Sequence, residues 1–127
     1  MAGPCSVESR SQTRSIAENL HQFGVQALRG GAFKPRKSPH TFSGLGEEGR
    51  KILRSVADEF NLLIITEPRS VENISLVAEK SNIIQIDSRN LHHYPLLWAA
   101  GETQRPILLK RGFMSTVEKW VLAAEHY

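Results

Sequence analysis

The stretch EEGRKILRSVADEFNLLIITE, residues 47–67, carries two hydrophobic periods in succession. Ile52, Leu53, Val56 and Phe60 recur at spacings of three and four, which places them on one face of a helix over residues 47–60. Residues 62–67 are then almost continuously apolar, the pattern of a short strand covered by helices rather than one with a wet face. The same succession extends outward in both directions. Upstream, residues 11–23 put Ile16, Ala17, Leu20 and Phe23 on one helical face, Gly24 ends that helix, and residues 25–29 form a strand. Downstream come a helix over residues 70–80 with Val71, Ile74, Val77 and Ala78 facing inward, a strand over 83–87, and a helix over 91–100 interrupted early by Pro95. A strand over 106–110 follows, and Ser115-Thr116-Val117-Glu118 reads as a capping box opening a last helix through Trp120, Val121 and Ala124. Residues 1–5 read as the tail of a further strand. Alternation of this kind predicts an α/β fold with a parallel sheet, built from four or five βα units.

At 127 residues, 40% hydrophobic and 23% charged, the chain has the composition of one ordinary domain able to bury a core, and no linker divides it. A single domain over residues 1–127 is expected. The formal charge of +3 suits an anionic ligand but is too small to imply nucleic acid. The basic residues fall in strand-end loops without interleaved aromatics, so no stacking platform for bases is expected. One cysteine excludes an internal disulfide, and no apolar run approaches the roughly 20 residues of a membrane span. The expected setting is cytoplasmic, with neither membrane nor nucleic acid as partner.

The run Arg29-Gly30-Gly31-Ala32-Phe33-Lys34-Pro35-Arg36 packs three cations around two glycines directly after an apolar segment. Glycines let backbone approach a ligand closely, while Arg offers a planar fork and Lys a point charge to phosphate oxygens. The other strands also finish in charge: Glu67 after Thr66, Asp87 with Arg89 close behind, and Lys110 with Arg111 after Leu109. Such charges can simply mark where a strand leaves the core for water. In parallel sheets and barrels, however, strand C-termini lie together and ligands bind there. Cations gathered at one mouth repel each other, and a bound phosphate or carboxylate relieves that repulsion. Residues 34–46, rich in Gly, Ser and Pro, form the one long excursion.

Cys5 ends the first strand tail, where a lone cysteine is usually a small buried hydrophobe but is also a possible metal ligand. His40, His92 and His93 share no ligand spacing and read as loop residues. Trp98 and Trp120 lie in helical stripes and read as core.

Taken in order, Ala2-Gly3-Pro4-Cys5-Ser6-Val7-Glu8-Ser9, the Arg29 to Arg36 run, Phe42-Ser43-Gly44-Leu45-Gly46 with Glu48-Gly49, Thr66-Glu67, Ser88-Arg89-Asn90 and Leu108-Leu109-Lys110-Arg111-Gly112 resemble the 3-deoxy-D-arabino-heptulosonate 7-phosphate (DAHP) synthases, in their short Bacillus-like and archaeal-like branch. The related 3-deoxy-octulosonate 8-phosphate synthases share the opening Gly-Pro-Cys but use a Lys-Ala-Ser-Phe type segment in place of the Arg29 run, and are the weaker match. The resemblance implies a (β/α)8 TIM barrel, here partial with about five parallel βα units, and condensation of phosphoenolpyruvate with erythrose 4-phosphate in the shikimate pathway. It implies that Arg29, Lys34, Arg89 and Lys110 hold the phosphate and carboxylate of phosphoenolpyruvate, and that Arg36 reaches erythrose 4-phosphate. Glu67 lies near the reacting carbons, Lys34 and Lys110 are catalytic with it, and Cys5 is a ligand of a divalent metal, Mn²⁺ or similar, that polarises the aldehyde.

A complete barrel takes eight units in about 250 residues, so the resemblance implies a truncated domain without the family's later His, Glu and Asp metal ligands. Three departures stand out: Lys37 where the family has Thr or Ser, Asp87-Ser88 where Gly-Ala is usual, and His92-His93-Tyr94 in place of Gln-Asn-Phe. An inactive fragment is expected. The alternatives are a half-barrel completed by homo-oligomerisation or by a complementary half-barrel, and a non-catalytic phosphate-binding or interaction module.

Overall fold

Ser9 starts the first helix: its hydroxyl accepts from Gln12 N at 3.1 Å, which satisfies one of the orphan donors of the first turn. The helix, α1, covers Arg10–Gln22. It ends in a Schellman motif, with Gly24 at φ 70° donating to His21 O at 3.0 Å and Val25 N to Leu20 O at 3.0 Å. Strand β1 (Ala27–Arg29) follows, then α2 (Glu47–Glu59) and β2 (Leu63–Thr66). α2 ends as α1 does, with Asn61 at φ 52° and Leu62 N bonded to Ala57 O at 2.8 Å. The computed structural model describes residues 1–34 and 40–127. They form two compact units, Met1–Thr66 and Glu67–Tyr127.

In the first unit β1 and β2 pair in parallel, with Leu28 opposite Ile64 and Arg29 opposite Ile65. Ala2 makes a parallel bridge to Leu28 on the other edge of β1, as expected for a strand tail. Leu28 and Ile64 face the helices and share a core with Val7, Ala17, Leu53, Val56, Ala57 and Leu62. α1 and α2 are also tied at their surface. Arg14 reaches Glu59 at 2.7 Å and stacks over Phe60 at 5.4 Å. Being exposed, that ion pair contributes at most about 1 kcal/mol. The expected inward residue Phe23 is instead 83% exposed. It is the C-cap, where the chain has already left helical phase to enter the turn at Gly24.

The second unit repeats the design. A 3₁₀ turn (Val71–Asn73) leads into α3 (Ile74–Lys80), then β3 (Ile83–Ile86), a second 3₁₀ turn (Ser88–Asn90), α4 (Tyr94–Glu102), β4 (Ile107–Leu109) and α5 (Val117–Ala124). β3 and β4 are parallel, Ile84 opposite Ile107 and Ile86 opposite Leu109. Ile84, Ile86 and Leu109 pack with Ile74, Val77, Leu91, Leu96, Leu97, Ala100 and Ala123.

Three expectations change here. Pro95 opens α4 rather than interrupting it, because a first-turn residue has no helical acceptor for its N–H and loses nothing as proline. Thr116, not Ser115, caps α5, accepting from Lys119 N at 3.2 Å. Trp98 is 55% exposed, its indole donating to His126 at 3.1 Å, because Leu96, Leu97 and Ala100 already fill the inner stripe of α4. Trp120 does pack on the core and donates to Leu109 O at 3.1 Å.

Leu53 is 1% exposed. Replacing it with Ala is expected to cost about 3 kcal/mol of stability through lost burial and a residual cavity. Phe23→Ala is expected to change stability by about 0.5 kcal/mol or less. Urea unfolding of the two variants checks this, and equal losses contradict the assignment of the inner faces.

Candidate functional site

Side-chain alternation decides which residues can meet a ligand. Leu28, Ile64, Ile84, Ile86 and Leu109 point to the helices. Their neighbours in register, Arg29, Gln85, Asp87 and Lys110, therefore point to the opposite face.

In the first unit three expected site residues come together. The Arg29 guanidinium donates to the carbonyls of Pro4 and Cys5 at 3.4 and 3.3 Å. Lys34 folds back over Gly31: a Cβ there would lie 2.7 Å from its Nζ and 2.9 Å from Cys5 O. Only glycine leaves room for the ammonium at that place. Gly31 O accepts from Val7 N at 3.0 Å, and the Lys34 backbone donates to Ser43 O at 2.8 Å. The loop is further held where Gly46 N donates to Ala32 O at 2.9 Å and Arg50 stacks on the Phe33 ring at 5.1 Å. Arg50 is itself buried and bonded to Glu47 at 3.0 Å. Arg36 and Lys37 lie outside the described residues.

Cys5 is exposed, which removes the reading of a small buried hydrophobe. What burial it has opposes ionisation, but the bond from Lys34 and the charges of Lys34 and Arg29 outweigh that and hold the thiol below its ordinary value. A low thiol pKa suits a metal ligand. Among the described residues, however, no three His, Cys, Asp or Glu side chains gather to hold a metal ion. Cys5 alone does not define a metal centre. His92 bonds Ser115 Oγ at 3.3 Å, in keeping with a loop role.

In the second unit Asp87 joins two expected site residues. Its Oδ2 accepts from Arg89 Nε at 2.7 Å and its Oδ1 from Lys110 Nζ at 3.0 Å. Burial raises its pKa, but these two cations prevail and bring it down to about 2. Glu67 is buried and accepts from Gln85 Nε2 at 2.9 Å. Gln85 was not anticipated. Its signal was a polar side chain inside the apolar run Ile83-Ile84-Gln85-Ile86, on the same face as Asp87. Arg111 turns to its own loop, 3.5 Å from Ser115 O.

Parallel strands followed by helices, with charged residues just past their carboxyl ends, define the chain as part of a TIM-type α/β barrel. It belongs to the DAHP synthetase I family, whose signature matches residues 1–127. It is 48% identical over 126 residues to the phospho-2-dehydro-3-deoxyheptonate aldolase of Thermotoga maritima, covering 99% of this chain and 37% of that protein. The crystal structure of the DAHP synthase from that organism superposes with a TM-score of 0.95, again covering 99% and 37% of the two chains. A Campylobacter jejuni 2-dehydro-3-deoxyphosphooctonate aldolase is 34% identical over 119 residues, 88% of this chain and 44% of its own. The chain thus spans less than half the length of these relatives, and its likeness to the heptonate enzyme exceeds that to the octonate one.

Two titrations follow. Asp87 has a folded pKa of about 2 against 3.8 unfolded, so its ion pairs stabilise the protein above 3.8 and lose that effect as pH falls through about 2. Its carboxyl resonance in NMR is expected to titrate near 2; a midpoint at 3.8 or above contradicts the pairing. Alkylation of Cys5 by iodoacetamide should show a pH midpoint below 9.0 that rises in Lys34→Met. An unmoved midpoint would mean that Lys34 does not act on the thiol.

Proposed function

We propose that the chain supplies the phosphoenolpyruvate-binding part of a 3-deoxy-7-phosphoheptulonate synthase, the transferase that joins phosphoenolpyruvate to erythrose 4-phosphate in aromatic amino acid biosynthesis. The observation that carries this is the placement of the Lys34 ammonium against Gly31 with Arg29 over the Cys5 carbonyl, within a chain of this family. Arg29, Lys34, Arg89 and Lys110 would hold the carboxylate and phosphate of phosphoenolpyruvate, Arg36 the phosphate of erythrose 4-phosphate. Fixed cations lower the repulsion between two phosphorylated substrates and keep their reacting carbons in near contact. Glu67, oriented by Gln85, would sit beside those carbons. The divalent metal, with Cys5 as one ligand, would supply Lewis acidity at the aldehyde oxygen.

On this reading residues 1–127 belong to one barrel domain, in a cytoplasmic enzyme. The barrel would be completed within a homo-oligomer or by a complementary half-barrel. Exposed apolar residues on the last helix, Val117, Val121 and Leu122, favour such an association over an isolated chain. Among the described residues no helix is long and apolar enough to cross a membrane.

Calorimetric titration of the 127-residue chain with phosphoenolpyruvate, erythrose 4-phosphate and inorganic phosphate tests the proposal. Phosphoenolpyruvate should bind in preference to inorganic phosphate, and Lys34→Met should weaken it about tenfold or more. Equal affinity for all three anions would favour a generic phosphate-binding module. In a phosphate-release assay with both substrates and Mn²⁺ the chain alone should not turn over.

A further inference from the structure

We propose that Asp87 is a built-in occupant of an anion subsite formed by Arg89 and Lys110, and so sets how tightly an incoming carboxylate or phosphate group is held there. The inference rests on the reading above that these two cations serve an anionic substrate. Its grounds are geometric. Asp87 follows β3 directly, and Lys110 follows β4. With Ile86 opposite Leu109, and Lys110 N bonded to Ile86 O at 3.0 Å, the two residues are neighbours in register and share the face turned away from the helices. Arg89 comes from the turn after β3. One carboxylate oxygen goes to each cation, at 2.7 and 3.0 Å, which is how a ligand carboxylate would bridge them.

Two details separate this from an ordinary surface ion pair. The Asp87 side chain is 14% exposed, while those of Arg89 and Lys110 are 52% and 42% exposed, so the cations close over the anion. Asp87 also stands at the N-cap of the 3₁₀ turn, where an aspartate commonly accepts from the backbone of its own turn. Its side chain makes no such capping bond. The carboxylate is spent on the two cations instead.

An entering oxyanion must either displace Asp87 or bind beside it against its charge. Both lower affinity, so neutralising Asp87 should raise it. Titration of phosphoenolpyruvate into wild type, Asp87→Asn and Asp87→Gly tests this, with inorganic phosphate run in parallel. Both variants should bind phosphoenolpyruvate about tenfold tighter, and the gain should vanish in Asp87→Asn combined with Arg89→Met. Without ligand, Asp87→Asn should melt below wild type, since two cations then face each other. Phosphoenolpyruvate should raise its melting temperature by more than that of wild type, a response that a purely structural aspartate would not produce. A gain shared by inorganic phosphate identifies a general oxyanion subsite, and one confined to phosphoenolpyruvate identifies a carboxylate subsite; either supports the inference. Unchanged or weaker binding in both variants, with Lys34→Met still weakening it, overturns the inference and leaves the proposed function standing. If Lys34→Met and Arg89→Met also leave binding unchanged, the proposed function fails and the inference with it.

Discussion

The parallel ladder in each unit runs one residue past the end of its strand, and the placement of the charged side chains depends on those last bonds. Lys110 N donates to Ile86 O at 3.0 Å in the second unit, and Gly30 N to Ile65 O at 3.1 Å in the first. Thr66 adds a third tie, its hydroxyl donating to Gly30 O at 2.8 Å. Each bond holds the residue after one strand against the strand beside it. Side-chain alternation then does the sorting: Leu28, Ile64, Ile86 and Leu109 are committed to the helices by their apolar burial. Arg29, Asp87 and Lys110 are carried to the other face as a result. Charge at these positions is thus a consequence of register as much as of composition.

Close approach of backbone is the second requirement, and it explains why the cationic loop is glycine-rich. Lys34 is long and costly to bury as a charge, yet it is largely buried over Gly31. Any side chain at Gly31 would displace the end of the Lys34 side chain. The loop is in turn fixed by contacts that involve no site residue directly, among them the Arg50 stack on Phe33 and the bond from Gly46 N to Ala32 O.

Most of the fold was legible because helical and strand periods are strong and alternate cleanly. All four strands and five helices among the described residues fall where the periodicity put them, with ends shifted by a few residues. Phe23, Trp98 and Pro95 were misread for one reason. Each sits at or near a helix terminus or off the inner stripe, where local capping and the prior filling of the core decide exposure, and periodicity is silent about both. Arg29, Lys34 and Cys5 lie together in the first unit. The pairings of Asp87 with Lys110 and of Glu67 with Gln85 were out of reach, because they join residues 23 and 18 positions apart through strand register.

In the second unit the cations are discharged by a formal charge, and under the proposed function that bears on binding. Lys110 and Arg89 rest on a full carboxylate. A formal countercharge cancels a cation's field at a distance. Under the proposed function, what stabilises the empty second unit is therefore what would oppose the ligand. Stability and affinity would then compete through a single carboxylate, that of Asp87.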